Sequence, residues 1–268
     1  MIGRRFVLSV MAATAAMATA SCASLAGIDS IDPAVDGQNG GAFCAAAARP
    51  TSSDGLFFCD DFDRGSLPSP WTNLYQTSGT LAQNSGAAES PPNSLDIAIG
   101  SLALNQPVDA SLRASLGVPP LPAALEFAFG LDPVRIDTTA DASIVLAAID
   151  FLDAAENRYT VQLAFDIENG AATTVLDELY SDGTPYIPHP ISGPLPLGTF
   201  TDIAIQIHWA TAMTATADVL MHGAVVLSLP LTMNVDAVSL QISIGTTFSS
   251  EPSSGWEARY DNVLFTTL

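Results

Sequence analysis

The sequence predicts an all-β protein, a two-sheet antiparallel β-sandwich joined along a jelly-roll path. Three observations carry this expectation. Apolar residues recur at every second position in short segments, as in Ile203, Ile205, Ile207 and Trp209 set against Ala204, Gln206 and His208. That period buries one face and leaves the other in water, as in an antiparallel sheet covered on one side. Asn-Gly and related dipeptides divide the segments, as a series of hairpins requires. No helical stripe of three or more turns follows residue 22.

Residues 1–21 stand apart from this pattern. Arg4 and Arg5 precede an apolar run from Phe6 to Ala20, and small residues lead to Ser21 and Cys22. A short basic start, an apolar stretch too brief to span a bilayer comfortably and small residues before a cut make an export signal. The segment resembles a bacterial lipoprotein signal, which implies acylation of Cys22 and a chain held by lipid at the membrane of the cell envelope. Thr19 departs from that pattern, and Ala18-Thr19-Ala20 offers ordinary cleavage before Ser21 as the alternative. Residues 22–53 collect Gly, Asp and small side chains without periodicity and read as a flexible tether. The sandwich is expected over 54–268.

Cysteine parity fits this division. With Cys22 carrying lipid, Cys44 and Cys59 remain as a disulfide pair in an oxidising compartment. The 8 basic residues are all arginine and face 28 acidic ones, and losing Arg4 and Arg5 takes the net charge from −20 to −22. Such a balance excludes electrostatic binding of nucleic acid. A composition of 48% hydrophobic and 13% charged residues argues for a packed core.

Within the domain the elements follow in order. GLFFCDDFDRG opens it as a first strand. Leu125, Phe127 and Phe129 alternate with Ala124, Glu126 and Ala128. SIVLAAIDF and RYTVQLAF meet at a Glu156-Asn157 turn, with Gln162 on the polar side of the second segment. Asn169-Gly170 leads into AATTVLDEL, and His222-Gly223 joins ATADVLM to AVVLSL. Leu240, Ile242 and Ile244 alternate with Gln241 and Ser243, and WEARYDNVLF closes the chain.

The D-D-F of Asp60-Asp61-Phe62 and the D-N-V of Asp261-Asn262-Val263, with the strand order between them, resemble the concanavalin A-like lectin/glucanase superfold. The likeness is to laminin-G-like modules on bacterial exported lipoproteins and covers roughly residues 54–268. It implies terminal strands that lie close together and a structural calcium where they meet, with Asp261 as the first candidate ligand and Asp61 as the second. The competing reading has these aspartates accept backbone hydrogen bonds. His222 stands where such modules often carry Asp.

Catalytic motifs are sparse. The E-x-D-x-x-E strand of the glucanase branch is absent, and Asp150 to Glu156 lacks the two-residue spacing that puts carboxylates on one strand face. That string reads as a solvated hairpin tip, and the adjacent Asp177 and Glu178 point to opposite faces. His189, His208 and His222 are isolated, so zinc has no cluster. The remaining candidate is a sugar-binding face formed by Glu126, Gln162, Gln206, His208 and Gln241, with Trp71, Trp256, Tyr180 or Tyr186 as an aromatic platform. The expectation is an envelope lipoprotein whose non-catalytic sandwich binds a glycan or a surface protein. Alternatives are a divergent polysaccharide-acting hydrolase or lyase and a purely structural or adhesive component.

Overall fold

The computed structural model describes residues 41–268 apart from 53, 64, 101–107, 181–185, 194, 212, 234 and 248–254. The export signal, Cys22 and most of the expected tether lie outside the described residues. Fifteen strands are described, with one short helix, α1 (Ala42–Ala46). One sheet has the order β13 (Ala224–Leu231), β12 (Thr214–Met221), β11 (Thr201–Thr211), β6 (Ala123–Ile136), β15 (Trp256–Thr267), β4 (Ser94–Ile99), β3 (Gly79–Asn84). Strand β1 (Phe57–Asp60) joins this sheet alongside β15. The second sheet has the order β10 (Ile187–Pro190), β9 (Ala171–Tyr180), β8 (Arg158–Glu168), β7 (Ala142–Leu152), β14 (Ser239–Thr246), β5 (Asp109–Leu116), β2 (Asn73–Thr77). All described pairings are antiparallel, and the architecture is the expected jelly-roll sandwich.

The turns form where the dipeptides placed them. Glu156, the Asn169-Gly170 pair and the His222-Gly223 pair all take positive φ, the backbone twist that a tight hairpin between right-twisted strands demands. Between the sheets the inward residues interlock. Phe151 of the second sheet meets Trp209 of the first edge-on at 5.2 Å, and the Tyr260 hydroxyl crosses the core to donate to the Leu146 carbonyl at 2.9 Å.

The two text marks at the domain's ends are cross-strand neighbours, since Asp60 pairs with Val263. Asp261 and Asn262 occupy a bulge where β15 shifts register against β6, and Asn262 takes φ +53°. The extra residue re-phases the strand, so Tyr260 and Val263 both face the core. Two expectations are corrected here. GLFFCDDFDRG is not strand throughout: β1 ends at Asp60, so Asp61 lies beyond it. The last part of the supposed tether is also fixed, because α1 is held by the Cys44–Cys59 disulfide and by the Gly41 and Cys44 amides, which donate to Asp61 at 3.2 and 3.1 Å. The bridge closes a loop of sequence separation 15. Replacing both cysteines by serine is expected to cost about 2–4 kcal/mol in urea unfolding, and an unchanged midpoint would mean that the loop is already ordered without it.

Candidate active site

Strand alternation decides which side chains leave the core, and strand order decides which of them meet. On the outward face of the second sheet one cross-strand row runs Pro188, Asp177, Gln162, Ala148, Ser243, Arg113, Asn73. The two central positions, Ala148 and Ser243, are small, while Gln162 and Arg113 on either side are long. Large residues flanking small ones leave a hollow of about 290 Å³, lined by Arg113, Ala148, Asp150, Arg158, Thr160, Gln162, Ser243 and Thr247.

Arg113, Asp150, Arg158, Thr160 and Gln162 in the hollow each have a polar partner. Arg113 pairs with Asp109, its Nε donates to Ser111 at 3.3 Å, and its guanidinium lies over the Tyr75 ring at 4.2 Å. The Thr160 hydroxyl donates to Asp150 at 2.5 Å, and Arg158 stands 3.8 Å from the same carboxyl. Burial raises the Asp150 carboxyl above its ordinary range, with Arg158, the Thr160 hydrogen bond and Arg113 acting in the opposite direction. Gln162 Nε2 donates to Asp177 at 3.2 Å. Burial pushes Asp177, on the outward side of β9, up to about 7.

Beneath β9 the neighbouring residue faces inward. The Glu178 carboxylate accepts the Tyr159 hydroxyl, the Thr232 amide at 2.7 Å and the Thr232 hydroxyl at 2.8 Å, and His189 Nε2 lies 2.8 Å away. Burial opposes its charge, yet these hydrogen bonds hold it below the usual carboxylate range. Thr232 follows β13, an edge of the first sheet, so Glu178 ties the two sheets together beside the hollow.

The structure separates the expected sugar-binding residues. Gln162 and Gln241 lie on the outward face of the second sheet. Glu126, Gln206 and His208 lie on the outward face of the first, with the core between the two groups. Gln206 donates to Glu126 at 2.6 Å, and His208 stands 3.7 Å from Asp218. The five therefore form no common site. Of the expected platforms, Trp71 and Trp256 are buried and Tyr180 is tied to Thr232. Tyr186 and the unforeseen Tyr75 are exposed, at 43% and 40%. Sequence reasoning missed Arg113, Arg158 and Asp150. The available signals were two of the chain's few cations and a charge inside the apolar run SIVLAAIDF, which demands a partner when buried.

The calcium expectation meets a different arrangement. Asp261 Oδ2 accepts the Glu89 and Ser90 amides at 2.9 and 2.8 Å, and Oδ1 accepts the Asn262 amide at 2.8 Å. Asp61 accepts the two amides already described. Among the described residues no three His, Cys, Asp or Glu converge as metal ligands. These carboxylates face N–H donors, and as placed they do not fit a calcium ion.

Their protonation makes stability depend on pH. Burial, with Asp202 bonded alongside, pushes Glu89 up to about 7, and burial pushes Asp261 up to about 6. The folded chain then holds these protons more tightly than the unfolded one. The contribution is complete below the ordinary carboxylate range and is lost as pH rises through about 6 to 7. The melting temperature is expected to fall between about pH 5 and pH 8, less steeply in Glu89→Gln. An equal slope in the variant would assign the effect to overall charge.

Fold and site together define a jelly-roll sandwich with a polar hollow on one outward sheet face. No protein-family model and no curated protein matches the chain. Solved structures do match. An endo-β-1,4-glucuronan lyase from the fungus Trichoderma reesei aligns with TM-score 0.59 at 13% identity, covering 79% of this chain and 95% of that one. The cellulose induced protein Cip1 aligns at 0.51 and 12%, covering 78% and 96%. The alginate lyase Aly36B, solved with an alginate trisaccharide, aligns at 0.50 and 14%, covering 78% and 97%. At these identities the likeness shows the fold. The expectation of a non-catalytic binding module is corrected to this extent: two of these three solved chains are named as lyases, one of glucuronan and one of alginate, while the name of Cip1 gives no activity.

Proposed function

We propose that the protein is a polysaccharide lyase that cleaves a uronate-containing polysaccharide in the hollow of the second sheet. The observation that carries this reading is the gathering of Arg113, Arg158, Gln162 and a buried Asp150 around a floor of small residues. In a chain of net charge −20, two arginines reach one hollow, Arg113 beside Asp109 and Arg158 beside Asp150, and bring guanidinium donors to the place where an anionic polymer would lie.

The chemistry is a β-elimination. Arg113 and Gln162 bind the uronate carboxylate and withdraw charge from it, which acidifies the C5 proton. Asp150 accepts that proton, the C5 electron pair forms the C4–C5 double bond, and the C4–O bond breaks. The leaving oxygen takes up the proton that Asp150 accepted and becomes a free hydroxyl, which restores the carboxylate. No water is added, which distinguishes the reaction from hydrolysis. Export and lipid attachment at Cys22 accompany this reading, supported by the signal pattern and by the pairing of the other two cysteines.

The test is incubation of the purified protein with alginate, polyglucuronate and hyaluronan, followed by ultraviolet absorbance of the unsaturated uronate. Absorbance that rises with new reducing ends supports the reading, and Arg113→Ala is expected to lower kcat/KM by about 10²-fold. New reducing ends without absorbance would establish hydrolysis in its place.

A further inference from the structure

We propose that the hollow takes a uronate whose neighbour, on the side of β9 and β10, is a sugar without a carboxylate. This inference rests on the lyase reading above and narrows its substrate. The outward face of the second sheet is electrically two-ended. Arg113 and Arg158 serve the hollow, but the face beyond Gln162 is acidic. Gln162 and Asp177 are direct cross-strand partners, about 5 Å apart along the row. A ring next to the one bound at Gln162 therefore comes to lie over Asp177.

That end has its own construction. The Tyr186 hydroxyl donates to Asp166 at 3.1 Å, and the phenol stands between the Asp166 and Asp177 carboxyls. Asp177 is 0% exposed although it points away from the core, and its Oδ1 has no hydrogen-bond partner. A buried acceptor without a donor is costly unless something arrives to satisfy it. A neutral sugar can place its apolar ring face on Tyr186 and present a hydroxyl to the half-buried Asp166 carboxylate, with the buried Asp177 carboxyl beneath it. A second uronate would set a carboxylate against those two, the repulsion by which sites reject a wrong ligand. A polymer in which each uronate alternates with an uncharged sugar fits this face, and a continuous polyuronate does not.

Affinity tests the inference independently of turnover. In protein carrying Asp150→Asn, which leaves the polymers uncut, calorimetry compares hyaluronan, whose uronates alternate with uncharged N-acetylhexosamine, with polyglucuronate. Hyaluronan is expected to bind about tenfold more tightly at about pH 8, and adding Asp166→Asn is expected to strengthen polyglucuronate binding about fivefold while weakening hyaluronan about twofold, since its hydroxyl then meets an uncharged acceptor. Asp177→Asn, which preserves shape, is expected to act in the same direction. Equal affinities, an insensitive ratio or no binding of either polymer overturns the inference. Absence of unsaturated product from wild-type protein sinks the lyase reading alone, because the affinity ratio still decides this one.

Discussion

Asp150→Asn is expected to reduce formation of unsaturated product by about 10²–10⁴-fold while leaving the polymer bound. The amide keeps the side chain's shape and can still accept the Thr160 hydroxyl, so the hollow retains its form. What it loses is the capacity to take a proton from carbon. Burial raises the wild-type carboxyl above the ordinary range, which makes it a better base than a solvated aspartate once it is charged. The wild-type rate should consequently fall in acid as Asp150 protonates, on a limb displaced upward from the usual carboxylate range. Rates measured across pH in both proteins check this. A variant that turns over at the wild-type rate, with the same acid limb, would remove Asp150 from the mechanism.

Glu178→Ala is expected to lower stability by about 3 kcal/mol, or about 6–12 °C in melting temperature for a domain of this size. The substitution removes the acceptor shared by Tyr159 and by both donors of Thr232, and it deprives His189 of its partner. Each buried donor left without an acceptor carries its own desolvation cost. Glu178→Gln keeps one carbonyl oxygen but turns an NH₂ toward existing donors, and it should fall between alanine and wild type. The pH sign is opposite to that of Glu89. Because the folded-state pKa of Glu178 is depressed, its stabilisation is present above the unfolded value and lost only as acid protonates the folded form. Thermal melts at neutral and acid pH separate the two groups. A melting temperature in Glu178→Ala equal to wild type would deny it any role in joining the sheets.

Much of the fold was legible because it is written locally. Asn169-Gly170 specifies its hairpin whatever surrounds it, and the alternation from Tyr159 to Phe165 fixes the inward side of β8 without knowledge of its neighbours. The site was not legible, because alternation tells which side of a strand is polar and not which sheet the strand joins. Gln162 and Gln206 have the same local pattern yet lie on opposite outer faces. Arg113 reaches the hollow only because β14 inserts between β5 and β7, a pairing of segments more than a hundred residues apart in sequence for β5. Asp150 looked like the start of a solvated turn because its string runs on into Asp153 and Glu156. The structure buries it at 7% exposure and leaves Glu156 at the tip. The bulge at Asp261 shifts the alternation by a residue, which no fixed period anticipates.

The Cys44–Cys59 bridge also sets a load path. A pull on any point of the chain before Cys44 bypasses the intervening loop and enters the sandwich through Cys59, inside β1. From there it is carried by the antiparallel ladder to β15, from Phe57 opposite Thr266 to Asp60 opposite Val263. Force along a strand shears several such hydrogen bonds at once instead of opening them one by one. With the bridge reduced, the same pull would first strip α1 from Asp61. The covalent clip thus moves the point at which load enters β1 from its first residue, Phe57, to Cys59.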